Sequence, residues 1–168
     1  MTTSSSAEPA GTESAGTDRV LADAAARGLD VDIITRPAAG SLAEAAQLLG
    51  IEQSGIVKTL VVKRADGSFL FALVPGGRKI SWPKLRALVG VNKLQLPDAG
   101  QALEATGYER GTITPLGSST EWPVYADAGI TGQRVAMGAG AHGFSAFVDA
   151  DALVAAFDAV VADISEPE

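Results

Sequence analysis

The sequence predicts an α+β domain with a mixed, curved β-sheet, and two observations lead to that prediction. Residues 56–74 (IVKTLVVKRADGSFLFALV) contain two runs rich in Val, Leu and Phe, separated by the turn signal Ala65-Asp66-Gly67. This pattern is typical of a β-hairpin at the centre of a sheet. Elsewhere, short strand patterns and helix patterns mix without the regular alternation of a parallel α/β sheet, which favours the α+β class.

The chain is predicted to begin with a tail followed by a helix. Residues 1–16 are rich in Ser, Thr, Ala and Gly and show no periodicity, which predicts a disordered segment. The folded domain is therefore expected at residues 17–168. Thr17 is a predicted N-cap for a helix over residues 18–27, with Gly28 at its C-terminal end.

The remaining elements follow from helix caps, apolar periodicity and turn residues. Two capping-box patterns, Ser41 with Glu44 and Asp98 with Gln101, mark helix starts. The predicted helices begin after the caps Ser41, Ser81, Asp98 and Asp149 and run to Leu49, Val89, Thr106 and Phe157. The predicted strands outside the hairpin cover residues 31–35, 92–96, 124–126, 133–137, 144–148 and 160–164.

Composition excludes several kinds of site. The chain has no cysteine and one histidine, which excludes disulfides, a cysteine nucleophile, a thiolate zinc site and a three-histidine metal site. We therefore expect no metal and no cofactor. No apolar run approaches the ~18 residues of a membrane span, and residues 1–16 lack the basic and apolar regions of a signal peptide. The expected compartment is the cytoplasm, without a membrane partner.

Charge is distributed unevenly along the chain. The net charge is −7, yet residues 56–95 contain eight basic residues and a single acid, Asp66. The rest of the chain contains five basic and nineteen acidic residues. A local basic surface on an acidic protein can bind a polyanion, with an affinity that falls as salt rises. The alternative is a set of solvated helix and strand faces.

Lys58 interrupts the first apolar run of the hairpin. Because side chains alternate along a strand, Lys58 shares a face with Leu60 and Val62, where the core or a cavity is expected. A buried ammonium is normally paired, lowered in pKa or given a route to solvent. Lys58 is therefore a candidate functional residue, and a strand-end lysine that extends past its neighbours to solvent is the alternative.

Two glycine-containing segments are candidates for ligand contact. In residues 111–117 (GTITPLG), the glycines allow backbone N–H groups to turn toward a ligand and form an oxyanion hole or an anion site. The segment is neither a P-loop nor a dinucleotide fingerprint, and an ordinary tight connection is the alternative. Residues 138–143 (GAGAHG) add His142, which either bonds a ligand or is a loop histidine without a role. Asp127 either anchors Lys58 or a glycine loop, or is structural.

A set of motifs then indicates a family. In chain order they are Glu44-Ala-Ala before Leu49-Gly50, Ile56-Val-Lys58-Thr-Leu, Trp82-Pro-Lys84-Leu85, Thr106-Gly107-Tyr108, Gly111-x-x-x-Pro115-x-Gly117, Asp127 and Gly138-Ala-Gly140. With these motifs, from about residue 18 onward, the chain resembles the free-standing aminoacyl-tRNA deacylases, the same module as the editing domain inserted in bacterial prolyl-tRNA synthetases. The resemblance implies a mixed, curved, barrel-like sheet flanked by helices.

The resemblance also implies an activity, hydrolysis of the ester that joins a mischarged small amino acid to the terminal adenosine of tRNA. Lys58 matches the functional lysine, expected beside the carbonyl or the terminal nucleotide. Residues Gly111, Thr112, Ile113, Thr114 and Pro115 match the loop whose amides hold the aminoacyl group and polarise its carbonyl. A water or the vicinal ribose hydroxyl is expected to drive the attack. The implied partners are the acceptor end of aminoacyl-tRNA, with tRNA-Pro as the expected tRNA, and an aminoacyl-tRNA synthetase, with no DNA.

The substrate-binding candidates leave the specificity open. They are Arg36, Thr59, Arg78, Gly117, Asp127, Gly138, Gly140, His142 and Ser145. The branch that clears cysteine is expected to carry a tyrosine near Arg36 and an acid near Ser145, and this sequence has neither. His142 falls near a histidine of the synthetase-inserted form. Alanine, cysteine and serine therefore all remain possible substrates, and a non-catalytic module that binds tRNA or a small ligand is the alternative function.

Overall fold

The predicted hairpin forms the centre of the structure. The computed structural model describes residues 11–168, with side chains from residue 15 onward. The helices in this range are α1 (Gly11–Ala26), α2 (Leu42–Leu49), α3 (Trp82–Val89), α4 (Ala99–Thr106) and α5 (Ala150–Phe157). The strands are β1 (Val31–Thr35), β2 (Val57–Arg64), β3 (Phe69–Pro75), β4 (Arg78–Ile80), β5 (Leu94–Gln95), β6 (Val124–Asp127), β7 (Arg134–Gly138), β8 (Phe144–Asp149), β9 (Val160–Ala162) and β10 (Ser165–Pro167).

These strands form three groups. The largest sheet has the order β5-β2-β3-β6-β9, in which β3 pairs with β6, and β6 with β9, in parallel while the other pairs are antiparallel. A second sheet has the order β1-β8-β7, and β4 pairs with β10. An isolated bridge between Ile56 and Ala136 connects the two larger sheets. The α+β class with a mixed sheet is thus confirmed, although the strands do not close into a barrel.

Both faces of the hairpin are covered, which explains its nearly continuous apolar sequence. On one face, Val57 and Val61 belong to the main core, to which α1 contributes Val20 and α5 contributes Leu153. On the other face, Leu60 and Val62 pack in a second cluster with residues of β3, α3 and the C-terminal segment. Lys58 pairs in register with Val74 and lies on this second face, as the alternation predicts.

The main correction concerns the N-terminal segment. Helix α1 begins at Gly11, so residues 11–16 are helical, whereas the sequence predicted a disordered tail over 1–16 and a cap at Thr17. Residues 1–10 lie outside the described residues. Gly16 is buried against the backbone of Gly140, and a Cβ at Gly16 would overlap the Gly140 C=O. This tertiary contact, which no local pattern reveals, accompanies the earlier helix start.

The other differences are small. Strands β4 and β10 were not predicted, because each is three residues long and is defined by pairing with the other. Both capping-box starts carry the predicted cap, since Ser41 accepts a bond from the Glu44 N–H and Asp98 from the Gln101 N–H. The Glu44 carboxylate, however, accepts from Gly40 N–H rather than from the cap residue. Ser81 occupies the cap position of α3 without a side-chain cap bond.

Candidate active site

A cavity of about 330 Å3 lies between the two larger sheets, next to the Ile56–Ala136 bridge. Beyond that bridge, residues 57–62 of β2 pair only with β3, since β5 reaches no further than Lys63. The cavity is lined by residues 57–61 of β2, residues 136–138 of β7, the loop around Gly111, and the connection from β5 to α4. Its volume is in the range of small-molecule sites.

The open edge of β2 faces this cavity with its backbone. The bonds from Arg64 N–H to Ser68 C=O and from Gly76 N–H to Ile56 C=O show that the even-numbered residues of β2 pair with β3. In an antiparallel pair the intervening residues direct their N–H and C=O groups to the other side. The backbone groups of Val57, Thr59 and Val61 therefore point away from β3, where all three residues line the cavity. The hydroxyl of Thr59 is buried without a partner in the described part of the chain.

Lys58 lines the same cavity, but its ammonium is already engaged. Its Nζ donates to the Arg78 C=O and lies 3.0 Å from Glu168 Oε2, so it points toward the β4–β10 pair. The side chain retains 23% of its exposure. Lys58, on β2, and Gly111, in the loop before β6, thus line the same cavity. The charge predicted inside the sheet is balanced by a carboxylate and a carbonyl.

The loop predicted from residues 111–117 is divided between the cavity and the protein interior. Gly111 and Ile113 line the cavity, and their backbone N–H groups donate to no acceptor within residues 11–168. Thr112 is turned inward, because its N–H and hydroxyl both donate to the Glu109 C=O, at 3.0 and 2.8 Å. Thr114 is fully buried, and its hydroxyl accepts a bond from Leu116 N–H. Unpaired amides beside a cavity are available to stabilise an anionic oxygen.

The second glycine segment supports this loop. Gly138 lines the cavity and packs directly on the loop, since a Cβ there would overlap the Ile113 C=O and lie 2.9 Å from the Thr112 C=O. Gly140 N–H donates to the Thr112 C=O at 3.0 Å. His142 does not line the cavity. Its side chain is 61% exposed, and its Nε2 lies 3.1 Å from Glu109 Oε1.

Arg36 and Ser145 come together in the cavity wall. The Nε of Arg36 donates to Ser145 Oγ at 2.9 Å, and one terminal nitrogen donates to the Pro37 C=O at 3.0 Å. Ser145 is buried and its oxygen is held by the guanidinium, with no carboxylate or imidazole bonded to it within residues 11–168. This pair therefore shapes and charges the cavity, and Ser145 lacks the adjacent base that a serine nucleophile requires.

Besides Thr112, Thr114, Gly140 and His142, four further predicted site residues lie outside the cavity wall. Arg78 donates to Ser165 Oγ and C=O and so anchors β10. Asp127 is buried and accepts bonds from Gly129 and Ile164 N–H, which makes it a structural connection between β6 and the C-terminal segment. Pro115 and Gly117 lie at the back of the loop, where they face α1 instead.

Sequence reasoning missed Arg110 and much of the apolar wall. Arg110 lines the cavity, is exposed, and forms no ion pair with any residue that the structure describes. The sequence feature that could have identified Arg110 as a site residue is its position directly before Gly111. The apolar wall comes from distant elements and includes Leu42, Leu49, Leu96, Ala102, Met137 and Phe144. The resulting cavity is apolar inside, with Arg36, Lys58 and Arg110 as its cations and Asp98 as its acid.

Two features are absent from the part of the chain that the structure describes. No group of three or more His, Asp or Glu side chains that could hold a metal occurs within residues 11–168. No helix in that range is long and apolar enough to cross a membrane.

Comparison with known proteins identifies the family. Residues 36–156 match the profile of the aminoacyl-tRNA editing domain. The proline--tRNA ligase of Trichlorobacter lovleyi is 38% identical over 87 residues, which are 52% of this chain and 15% of that ligase. The proline--tRNA ligase of Thermosipho melanesiensis is 36% identical over 99 residues, 59% of this chain and 17% of that ligase.

A solved structure is similar over nearly the whole chain. The crystal structure of a candidate trans-editing enzyme for prolyl tRNA synthetase superposes with a TM-score of 0.83 at 30% identity, and the match covers 90% of this chain and 97% of that protein. The ligases, by contrast, are matched over less than a fifth of their length. The resemblance inferred from the sequence motifs is confirmed. Because the family profile matches well over half of its residues, the chain belongs to the aminoacyl-tRNA editing domain family.

Proposed function

We propose that this protein is a trans-acting deacylase that hydrolyses the ester of a mischarged small amino acid (alanine, cysteine or serine) on tRNA, chiefly tRNA-Pro. The observation that carries the proposal is that Gly111 and Ile113, whose N–H groups donate to no acceptor within residues 11–168, line a cavity that Lys58 also lines. The relation to proline--tRNA ligases supports the choice of tRNA.

The chemistry fits what these residues supply. An aminoacyl ester is already activated, so positioning and electrostatic stabilisation of the developing oxyanion are sufficient for hydrolysis. The amides of Gly111 and Ile113 would bind that oxygen. The chain has no cysteine, and Ser145 has no adjacent base within residues 11–168, so a water molecule or the vicinal ribose hydroxyl would be the nucleophile. Lys58 would contact the carbonyl or the phosphate of the terminal nucleotide.

The cavity and the charge pattern agree with such a substrate. The apolar wall and the small volume favour a small aminoacyl group. A fidelity role also has a physical motive, because one methylene is worth only about 1–3 kcal/mol of discrimination in a synthetase site. Outside the cavity, Lys79, Arg86 and Lys93 form no ion pairs within the described chain, which leaves them available to the RNA backbone.

The test is a panel of Ala-, Cys- and Ser-tRNA-Pro offered to the wild-type protein and to Lys58→Ala. We expect hydrolysis of at least one member of the panel and a loss of at least tenfold in kcat/KM for Lys58→Ala. Lys93→Ala is the matched control, because it removes an exposed lysine outside the cavity and is expected to affect only tRNA affinity. A Lys58→Ala variant as active as the wild type would exclude the proposed role of Lys58.

One observation favours a second function, tRNA binding without turnover. The Lys58 ammonium is occupied by Glu168 and the Arg78 C=O. Saturable tRNA binding with a steep salt dependence, and no hydrolysis of any aminoacyl-tRNA in the panel, would favour this function over the deacylase.

A further inference from the structure

Helix α1 holds the back of the 111–117 loop through Arg19 and Asp23. The Arg19 guanidinium donates to the Gly117 C=O from Nε at 3.0 Å and from a terminal nitrogen at 2.6 Å. The same nitrogen donates to the Thr106 C=O at 3.1 Å. Asp23 Oδ2 accepts a bond from Gly117 N–H at 2.9 Å. The backbone of Gly117 is therefore fixed on both sides by charged groups from one helix.

Neighbouring groups further restrict the positions of Arg19, Asp23 and Gly117. The Arg19 guanidinium also lies 4.5 Å from the centre of the Tyr108 ring, and the Tyr108 hydroxyl donates to the Leu116 C=O at 2.7 Å. Gly117 has a φ of +74°, and a Cβ there would lie 2.8 Å from the Arg19 backbone. Asp23 is itself held by Arg27 at 3.1 Å. Charge-assisted bonds of this kind are stronger than neutral ones.

The front of the same loop forms the cavity wall. Only three residues separate Gly117 from Ile113, whose N–H has no acceptor among the described residues. Between them, Pro115 restricts the backbone and Thr114 is fully buried. A displacement of Gly117 is thus transmitted to the amides at Gly111 and Ile113. An oxyanion site works through the placement of its donors, so a small displacement reduces the rate.

We propose that Arg19 and Asp23 are positioning residues that hold the 111–117 loop with its amides aligned for the reaction. This inference rests on the proposed deacylase function. It also extends the site beyond the part of the chain that matches the family profile, which begins at residue 36. Helix α1 then contributes to catalysis although neither Arg19 nor Asp23 lines the cavity.

The experiment measures kcat and KM separately for Arg19→Ala on the best substrate of the panel. We expect kcat to fall at least tenfold while KM changes less than twofold, because the cavity walls from β2 and α4 remain intact. Equal losses in kcat and kcat/KM indicate that an interaction specific to the transition state was lost. Asp23→Ala is expected to lower kcat in the same way.

Arg134→Ala provides the matched control. Arg134 also combines an ion pair, 2.7 Å to Asp32, with a contact to an aromatic ring, Phe147, but it touches neither the loop nor the cavity. Its removal is expected to lower stability without lowering kcat. If Arg19→Ala keeps at least half of the wild-type kcat, the proposed positioning role is wrong.

Two further measurements separate positioning from folding. Added guanidinium ion, at concentrations far below those that denature, should restore part of the kcat of Arg19→Ala and leave the wild type unchanged. If Arg19→Ala does not fold, Arg19→Lys is the deciding variant, since one ammonium cannot replace the four bonds that the guanidinium donates. An intermediate kcat supports the proposal and an unchanged kcat overturns it. A wild type that hydrolyses nothing refutes the proposed function itself, which is a different outcome.

Discussion

The ammonium of Lys58 lies 3.0 Å from the carboxylate of Glu168, although the two residues are 110 positions apart in the sequence. The contact exists because β10 pairs with β4, and the N–H of Glu168 continues that pairing with a bond to the Gly77 C=O. The carboxylate therefore occupies the ammonium that the proposed mechanism assigns to a carbonyl or a phosphate. An anionic substrate group must compete with Glu168 for Lys58.

Replacing Glu168 by Gln should therefore raise activity. We expect kcat/KM for deacylation to increase about two- to fivefold, because a partly exposed ion pair is worth at most about 1 kcal/mol. The Lys58 ammonium keeps its bond to the Arg78 C=O and stays in place. Glu166→Gln is the control, because Glu166 lies two positions earlier, in β10, opposite Lys79. If both variants gain equally, the effect is one of net charge and not of the Lys58 contact.

Replacing Gly138 by Ala should damage the site from the opposite side. Its Cβ would overlap the Ile113 C=O, so the loop must move away from β7. We expect a loss of about 1–3 kcal/mol in the free energy of unfolding and a fall of at least tenfold in kcat, measured by urea unfolding and by deacylation. Gly100→Ala is the control: a Cβ there would meet Asp98 Oδ1 at 3.4 Å, which is near ordinary contact. Similar effects of both substitutions would contradict this prediction.

Replacing Thr59 by Val should stabilise the protein. The Thr59 hydroxyl oxygen is buried and has no partner among the described residues. A buried polar group without a hydrogen bond lowers stability by about 1–3 kcal/mol, and Val fills nearly the same space without that penalty. We expect the free energy of unfolding to rise by about 1 kcal/mol, measured by urea unfolding. A loss of stability would mean that the hydroxyl is bonded, for instance to a buried water.

The sequence predicted the elements whose signals are local. The alternation along β2 placed Lys58 on the face of Leu60 and Val62, because the side-chain period of a strand is two. The turn at Ala65-Asp66-Gly67 set the hairpin, and Asp98 with Gln101 set the start of α4. The family resemblance, which is not a local signal, predicted that Arg36 and Ser145 both bind the substrate. In the structure both residues line the cavity and are hydrogen-bonded to each other.

Partners from distant parts of the chain could not be predicted in this way. The alternation that gives the face of Lys58 does not reveal that Glu168 binds it. Arg19 and Gly117 are 98 residues apart, and nothing in the local pattern of α1 indicates that its side chains bind loop carbonyls. The sequence left two roles open for Asp127 for the same reason, since its bond to Ile164 depends on the position of the C-terminal segment. Such contacts follow from the tertiary fold, which local propensity does not determine.

The buried phenol of Tyr108 makes stability depend on alkaline pH. Burial raises the pKa of Tyr108 to about 12 from its usual 10. The unfolded chain therefore releases this proton from about pH 10, whereas the folded protein retains it until about pH 12. In that window the unfolded state binds fewer protons, so the free energy of unfolding falls as pH rises, by up to about 1.4 kcal/mol per pH unit.

The variant Tyr108→Phe tests this dependence. It should be less stable than the wild type at neutral pH, because the Leu116 C=O loses its donor. Its free energy of unfolding should, however, lack the part of the decline between about pH 10 and pH 12 that the phenol causes. Urea unfolding of both proteins at half-unit steps from pH 9 to about pH 11.5 measures the difference, in which the titration of other groups cancels. Parallel curves for the two proteins would show that the phenol is not the group responsible.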